Sequence, residues 1–502
     1  MTAAATARTA RRGILAPSSP MAETKFTSKQ VASGSAWTLV AFGTASAVRL
    51  VSSLVLTRAL PDATAVYGVM ALVFGFYGGL LLFSDFGIGL LLTQNPRGME
   101  PAFRHTAFTA QIIRGVLVWI AAMALAPLFA SAYPDFDGLQ ELLSAIAFSA
   151  VIGGFCSTSF AAFRRRMQVN TLAKLELAAQ LFGVGVTITH ALLSPSAWCM
   201  VSGTLASSTL KVVLSHWLND RPDRIRWNPE AASLLKTVGR WVFLGTALTF
   251  CTNQADRLVF GKLISKQQLG VYAVAIIYSN TVVHLLQSLC TNVLYPMLCQ
   301  NYRNSESAEI VLRRVGRPIV SACGFALTCL CGGGSALMQF FYEGDFALGG
   351  WMLQITACGA WFGAALCVPR NQVALSMAKP KFTAASNLGM VLAMGVLIPL
   401  GHAAIGFPGA VAGFAAANVV RYIVIVTCNR RLGVGALDQD LRLSLRFFAA
   451  SAAIIWIDGR LQEAGVGALL RCLAVGAVAG LAWLPLLWSS YRDVREARRK
   501  LA

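Results

Sequence analysis

WTLVAFGTASAVRLVSSLVLTRALPDATAVYGVMA, Trp37 to Ala71, is the stretch on which the fold turns. Its first half is an apolar run interrupted by one charge, Arg49, and closed by Arg58. Leu60-Pro61-Asp62 then favours a turn, because proline fixes φ and lacks an N–H donor. The apolar run restarts at once. A membrane-spanning helix needs about 20 apolar residues, so the stretch reads as one span, a tight turn and the start of a second.

The same pattern covers the rest of the 502 residues, of which 56% are hydrophobic and 13% charged, with a mean hydropathy of +0.61. That composition excludes an ordinary soluble domain. Further apolar segments fall at 106–132, 141–163, 172–193, 196–218, 237–261, 270–297, 318–341, 350–369, 384–401, 406–428, 445–459 and 466–490. With 34–59 and 66–94 they predict an all-α polytopic membrane protein of about 14 transmembrane helices. The segment 445–459 is short. The basic tail Arg492, Arg495, Arg498, Arg499, Lys500 nevertheless favours the even count.

Nearly all of the 42 Lys and Arg lie in every second loop. Arg164-Arg165-Arg166 occupy one such loop; Lys211, Arg221, Arg224, Arg226, Lys236 and Arg240 cluster around the longest. Arg313, Arg314 and Arg317 follow, then Arg370, Lys379 and Lys381, then Arg430 and Arg431. The alternate loops 131–140 and 342–350 have neither Lys nor Arg; Lys262, Lys266 and Arg460 are the exceptions on that side. Cytoplasmic loops retain Lys and Arg, so the asymmetry predicts a bacterial inner-membrane location with both termini in the cytoplasm. The net charge of +20 is then a topology signal and excludes a nucleic-acid partner, which would need the charge gathered on one soluble domain. The bilayer is the expected surrounding partner. The 12 cysteines are scattered and lack zinc-site spacing, so they read as free, small hydrophobes and no metal is expected.

The chain also repeats. Trp37 opens a span followed by Tyr67-Gly68-Val69; Trp241 opens one followed by Leu269-Gly270-Val271. Both spans start on the cytoplasmic side, so the halves are parallel repeats, an arrangement of transporters that puts the substrate site at the interface between halves. The predicted organisation is a disordered cytoplasmic lead at 1–32, with Met21 as an alternative start, and an N-terminal six-helix bundle at 33–218. A cytoplasmic linker at 219–239 and a second six-helix bundle at 240–428 follow. Two additional helices at 429–490 and a basic tail at 491–502 complete the chain.

The run Trp37 through Arg58, Leu60-Pro61, Tyr67-Gly68 and Ser84-Asp85-Phe86-Gly87-Ile88-Gly89 resembles the start of bacterial polysaccharide exporters. So do Asp256 through Gly261, Leu269 through Tyr272 and Tyr295-Pro296 in the second half. That family belongs to the superfamily of multidrug and oligosaccharidyl-lipid exporters, and the resemblance points to its exopolysaccharide branch. It implies two six-helix bundles set as a V around a central cavity. It further implies transfer of an undecaprenyl-pyrophosphate-linked oligosaccharide from the inner to the outer leaflet by alternating access. A polysaccharide polymerase and chain-length machinery would be the protein partners.

With short outer loops, function must live in the bundle, where ionisable residues are costly and line pathways. Arginine binds phosphate bidentately and stays charged. Arg49 lies roughly 22 Å from the cytoplasmic end of its span at 1.5 Å per residue, too deep to snorkel easily. Asn253, Asp256 and Arg257 share one helical stripe, offering either a cavity wall or an interhelical ion pair. Asp85 could pair with Arg49 or stabilise a break. Arg114 and Arg421 are nearer the cytoplasmic ends, and Asn280, His284 and Gln287 recur at helical spacing, as a sugar-contacting face or a packed cluster. Arg49, Arg257, Arg114 and Arg421 are thus pyrophosphate candidates; Asp85, Asn253, Asp256, Asn280, His284 and Gln287 are polar or coupling candidates. Arg58 and Arg471 read as interfacial, Arg471 as dispensable, and Tyr272 and Trp241 as aromatic-belt residues.

No catalytic residue is expected. A GxxxxGK[ST] loop is missing from the sequence. A Na+ or H+ gradient is therefore the driving force left open, with no bound cofactor. The alternatives are a cation-coupled multidrug exporter of the same fold, a membrane-embedded polymerase or glycosyltransferase, and a scaffold for synthesis enzymes.

Overall fold

The computed structural model describes residues 28–84, 87–94, 96–165, 168–219, 222–303, 307–435 and 437–501. Among these residues all regular structure is helical. The long helices are α1 (Ser28–Ala59), α2 (Ala63–Phe83), α3 (Pro101–Ser131), α4 (Leu139–Gly154), α5 (Val169–Leu193), α6 (Trp198–Trp217), α7 (Pro229–Leu263) and α8 (Lys266–Leu289). They continue with α9 (Arg317–Phe341), α10 (Gly350–Ala360), α11 (Pro380–Ile405), α12 (Phe407–Arg430), α13 (Leu437–Glu463) and α14 (Ala468–Leu501). π-turns at Cys290–Leu294 and Trp361–Leu366 carry α8 on to Arg303 and α10 on to Ser376. Among the described residues, 9 helical stretches are long and apolar enough to cross a membrane, or 10 if α4 and Ser159–Arg165, bent by 64°, form one span.

Several boundaries differ from expectation. Residues 28–32 of the predicted lead already belong to α1, and the predicted tail is helical to Leu501. The second span ends at Phe83, and a separate short helix, Ile88–Gln94, follows. The short segment 445–459 is the middle of a 27-residue helix; hydropathy underestimated it because Asp438, Asp440, Arg442, Arg446, Asp458 and Arg460 lie in its outer turns.

The predicted linker 219–239 is not free chain. Asn228 caps α7 by accepting from the N–H groups of Glu230 and Ala231, with Pro229 at the first helical position. Just before it, the chain is sewn onto α3: the N–H groups of Arg226 and Asn228 donate to the hydroxyls of Thr109 and Thr106. Asp223 lies 3.3 Å from Arg104 and accepts from Ser157 and Thr158. A polar loop with no helix of its own satisfies its backbone through these side chains.

The repeated glycines explain how the two halves meet. A Cβ on Gly68 would strike the carbonyl of Lys266, and a Cβ on Gly270 the carbonyl of Thr64. These reciprocal contacts let the N-terminal ends of α2 and α8 cross backbone to backbone, at the end of the bundle with the short loops. Only small residues permit such an approach. The two turns that start these helices are equivalent: Asp62 caps α2, and the Ser265/Gln268 capping box starts α8.

α13 and α14 dock on α9 and α10. Trp361 of the α10 continuation stacks on Phe447 of α13 at 4.6 Å, and Trp483 of α14 donates to the Thr328 hydroxyl of α9 at 2.9 Å. The glycines Gly332-Gly333-Gly334 allow both close helix contact and a bend. Their Cβ positions would collide with Ile454, Val475 and Gln354 or Gly350, and Gly333 has φ −105° and ψ 16°, a kink within α9.

Candidate functional site

Seven of the sequence-predicted residues line one cavity of about 220 Å³: Asn253, Asp256, Arg257, Asn280, His284, Gln287 and Arg421. They arrive from α7, α8 and α12, and the remaining wall comes from α10 and α11. This cavity is walled by helices of the second half, whereas the repeat had pointed to the interface between halves. The reason is local: α7 turns its polar stripe inward against α8, α10 and α12, while Phe250, Gln254 and Leu258 lie against α2 at Gly79, Gly78 and Gly75.

Asp256 is 2% exposed. The Tyr272 hydroxyl donates to its Oδ2 at 2.7 Å, and its Oδ1 is buried without a hydrogen bond. Tyr272 is therefore a buried partner of the site, not the aromatic-belt residue expected, and the interhelical contact of Asp256 is a hydrogen bond to α8 instead of an ion pair. A signal for it existed. Asp256 precedes the α7–α8 turn by about as many residues as Tyr272 follows it, so the hairpin puts them at one depth.

The two cavity arginines are incompletely satisfied. Arg257 Nη1 donates to Gln254 Oε1 at 3.2 Å, and Arg421 Nη1 to the Gly363 carbonyl at 3.3 Å. The Nε atoms of both are buried and without a partner. Beside them stand Asn253, Asn280 and Asn418, the Ser279–Thr356 hydroxyl pair at 3.3 Å, and His284, whose Nδ1 is 3.3 Å from Gln287 Oε1. The sequence reading missed Asn418, one helical turn before Arg421, and the hydroxyls, which are too common in membrane helices to stand out. Unspent guanidinium donors among amides and hydroxyls can take an oxyanion with its attached polyol. At about 220 Å³ the cavity is smaller than the roughly 300–1,000 Å³ of typical ligand pockets, so this conformation has room for part of such a ligand.

The other candidates are elsewhere. Arg49 on α1 is exposed, donates to Ser46 of its own helix at 3.3 Å, and does not line the cavity. Arg114 lines a second cavity, about 320 Å³, with Tyr77, Gln111, Ser149 and Lys211 in the first half. It is spent on the end of α2, donating to Ser84 Oγ at 3.0 Å and the Leu81 carbonyl at 2.9 Å. Asp85 lies outside the described residues.

Two arginines assigned to interface or loop are buried ion pairs. Arg471, 3% exposed, donates to both oxygens of Asp458 at 2.7 and 2.8 Å and to Gln339 and Gln462 at 2.7 and 3.1 Å. Arg370, read as a cytoplasmic loop residue, is 2% exposed because α10 continues past it to Ser376; it donates to Asp440 at 2.8 Å. Arg58 does sit at a helix end, exposed, donating to the Phe341 carbonyl at 3.2 Å. Among the described residues no group of three His, Cys, Asp or Glu could hold a metal, and all 12 cysteines are free thiols.

A polar cavity inside a bundle of long apolar helices is the architecture of a multi-pass membrane transporter fold, and solved structures share that fold. Lipid II flippase MurJ in an inward closed conformation superimposes with a TM-score of 0.69 at 11% identity, covering 91% of this chain and 98% of MurJ. An inward-facing multidrug resistance MATE family transporter gives 0.60 at 13% identity, covering 79% of this chain and 94% of that one. Residues 55–322 match the polysaccharide biosynthesis protein family, and the chain belongs to that family. Lipopolysaccharide biosynthesis protein WzxC of Escherichia coli (strain K12) is 21% identical over 282 residues, 55% of this chain. The match spans 56% of that relative's length.

Proposed function

We propose that this protein is a flippase that moves a polyprenyl-pyrophosphate-linked oligosaccharide across the bacterial inner membrane for exopolysaccharide synthesis, without catalysing a covalent step. The observation that carries this reading is the pair Arg257 and Arg421, two buried guanidiniums with unspent donors in one amide-rich cavity. A pyrophosphate supplies the acceptors they lack, and the asparagines suit the hydroxyls of the attached sugar. The crossing of α2 and α8 supports movement by alternating access: it closes the short-loop end of the two halves and can part as they rock. The charge distribution supports cytoplasmic termini, so that the cargo enters from the cytoplasmic leaflet. A polymerase and chain-length proteins would consume the delivered units.

A cation-coupled exporter of amphipathic drugs is the second reading. The free Oδ1 of Asp256 favours it as a proton or Na+ acceptor, while the two arginines disfavour a cationic cargo. The discriminating experiment follows labelled undecaprenyl-pyrophosphate oligosaccharide in a deletion strain. Repeat units trapped on the cytoplasmic face, released by the wild-type chain and not by Arg257→Ala/Arg421→Ala, are expected. Units that still reach the outer face in the deletion strain would sink the flippase reading.

A further inference from the structure

A further arginine-lined hollow, sharing no residue with the central cavity, opens at the end of the molecule that carries the basic loops. It has a volume of about 330 Å³ and lies between the start of α9, the first turns of α13 and the inner part of α14. Arg313 and Arg317 stand one helical turn apart on one wall, and Arg442 and Arg446 one turn apart on the facing wall. Leu443 and Leu486 form an apolar side.

The charges in this hollow are unbalanced. Arg313 is matched, lying 2.8 Å from Glu309 and 3.3 Å from Asp438. Arg317, Arg442 and Arg446 make no ion pair or hydrogen bond among the described residues, and Nη1 of Arg446 is buried without a partner. Facing guanidiniums repel one another, and a buried donor without an acceptor costs about 1–3 kcal/mol. An anion with several acceptor oxygens, such as a phosphate group, would relieve both costs. Contrast Arg370 next door, whose guanidinium is neutralised within the fold by Asp440.

We propose that this hollow binds the phosphate of a membrane lipid. Three features select a lipid over a free ion. The apolar side formed by Leu443 and Leu486 suits the start of an acyl or prenyl chain. α14 turns Leu481, Leu484 and Trp488 outward, 75%, 58% and 64% exposed, so its surface beside the hollow is bilayer-facing. Trp488, two residues beyond Leu486, marks the interfacial depth at which headgroups lie. Basic pockets between helices on the cytoplasmic side are the form that headgroup sites take, and paired arginines grip phosphate bidentately. The proposal does not depend on what the central cavity transports.

The test is native mass spectrometry of the full chain purified in detergent, titrated separately with phosphatidylglycerol, phosphatidylcholine, undecaprenyl phosphate and inorganic phosphate. The wild-type chain should retain the anionic lipids over phosphatidylcholine. Arg442→Gln/Arg446→Gln should bind them about 30-fold more weakly, from the contribution of two arginines near a headgroup. Arg442→Lys/Arg446→Lys, which keeps the charge, should lose less. Preference for phosphatidylglycerol would identify a phospholipid site, and preference for undecaprenyl phosphate a carrier-lipid site. Equal retention by wild type and the glutamine variant, both melting normally, would overturn the proposal, as would binding of inorganic phosphate with no lipid retained.

Discussion

Arg471 and Arg257 are both arginines inside apolar helices, and they have opposite surroundings. Arg471 donates four hydrogen bonds, two of them to the carboxylate of Asp458, and each of its three nitrogens has a partner. Arg257 spends one donor on a neighbouring glutamine and leaves Nε buried and idle. The first is a clamp that fixes α13 and α14 to α9. The second is a group waiting for an acceptor that the protein does not contain. In a membrane interior the position of a charge does not separate structure from function; the completeness of its partners does.

The contrast can be broken by mutation. The largest effect should come from Arg471→Ala, which strands Asp458 in an apolar surround and costs about 3–5 kcal/mol. Folded yield and melting temperature in detergent should collapse, and a normal melt with normal export would refute the clamp. Next, Arg257→Ala/Arg421→Ala should cut transport about 100-fold, from the loss of two charged hydrogen-bond donors to the cargo. Its melting temperature should stay level or rise, because unsatisfied groups are removed. A fall in stability matching that of Arg471→Ala would erase the distinction between the two arginines.

Tyr272→Phe should be milder, about 1–3 kcal/mol, since it leaves both oxygens of the buried Asp256 without a donor; a denaturation series would measure it. The smallest effect, about 0.5 kcal/mol or less, belongs to Arg58→Ala, whose exposed contact with the Phe341 carbonyl is readily replaced by water. A severe loss there would show that this helix end is a functional contact.

Much of the cavity was legible because its residues break an apolar background at helical spacing. Asn253, Asp256 and Arg257 lie on one stripe, as do Asn280, His284 and Gln287, and the fold brings the two stripes to one space. Arg49 and Arg114 show the limit of depth as a guide: one bonds within its own helix and the other is spent on the end of α2. Arg471 shows the same limit from the other side, for its depth near a helix end concealed a complete set of partners. Its pairing with Asp458 across the α13–α14 turn could have been read from hairpin symmetry. Its bond to Gln339, 132 residues away, could not.

Hydropathy and loop charge belong to each segment separately, so the sequence alone determined that the chain is a helical membrane protein and predicted which ends of its helices share a side. The repeated glycines likewise announced two related halves. Which polar groups satisfy one another depends on helix rotation and on neighbours remote in the chain. Only the tertiary structure could therefore decide that Arg471 is a clamp, that Arg257 and Arg421 share a cavity, and that Arg317, Arg442 and Arg446 share a hollow whose one acid, Asp438, is taken by Arg313.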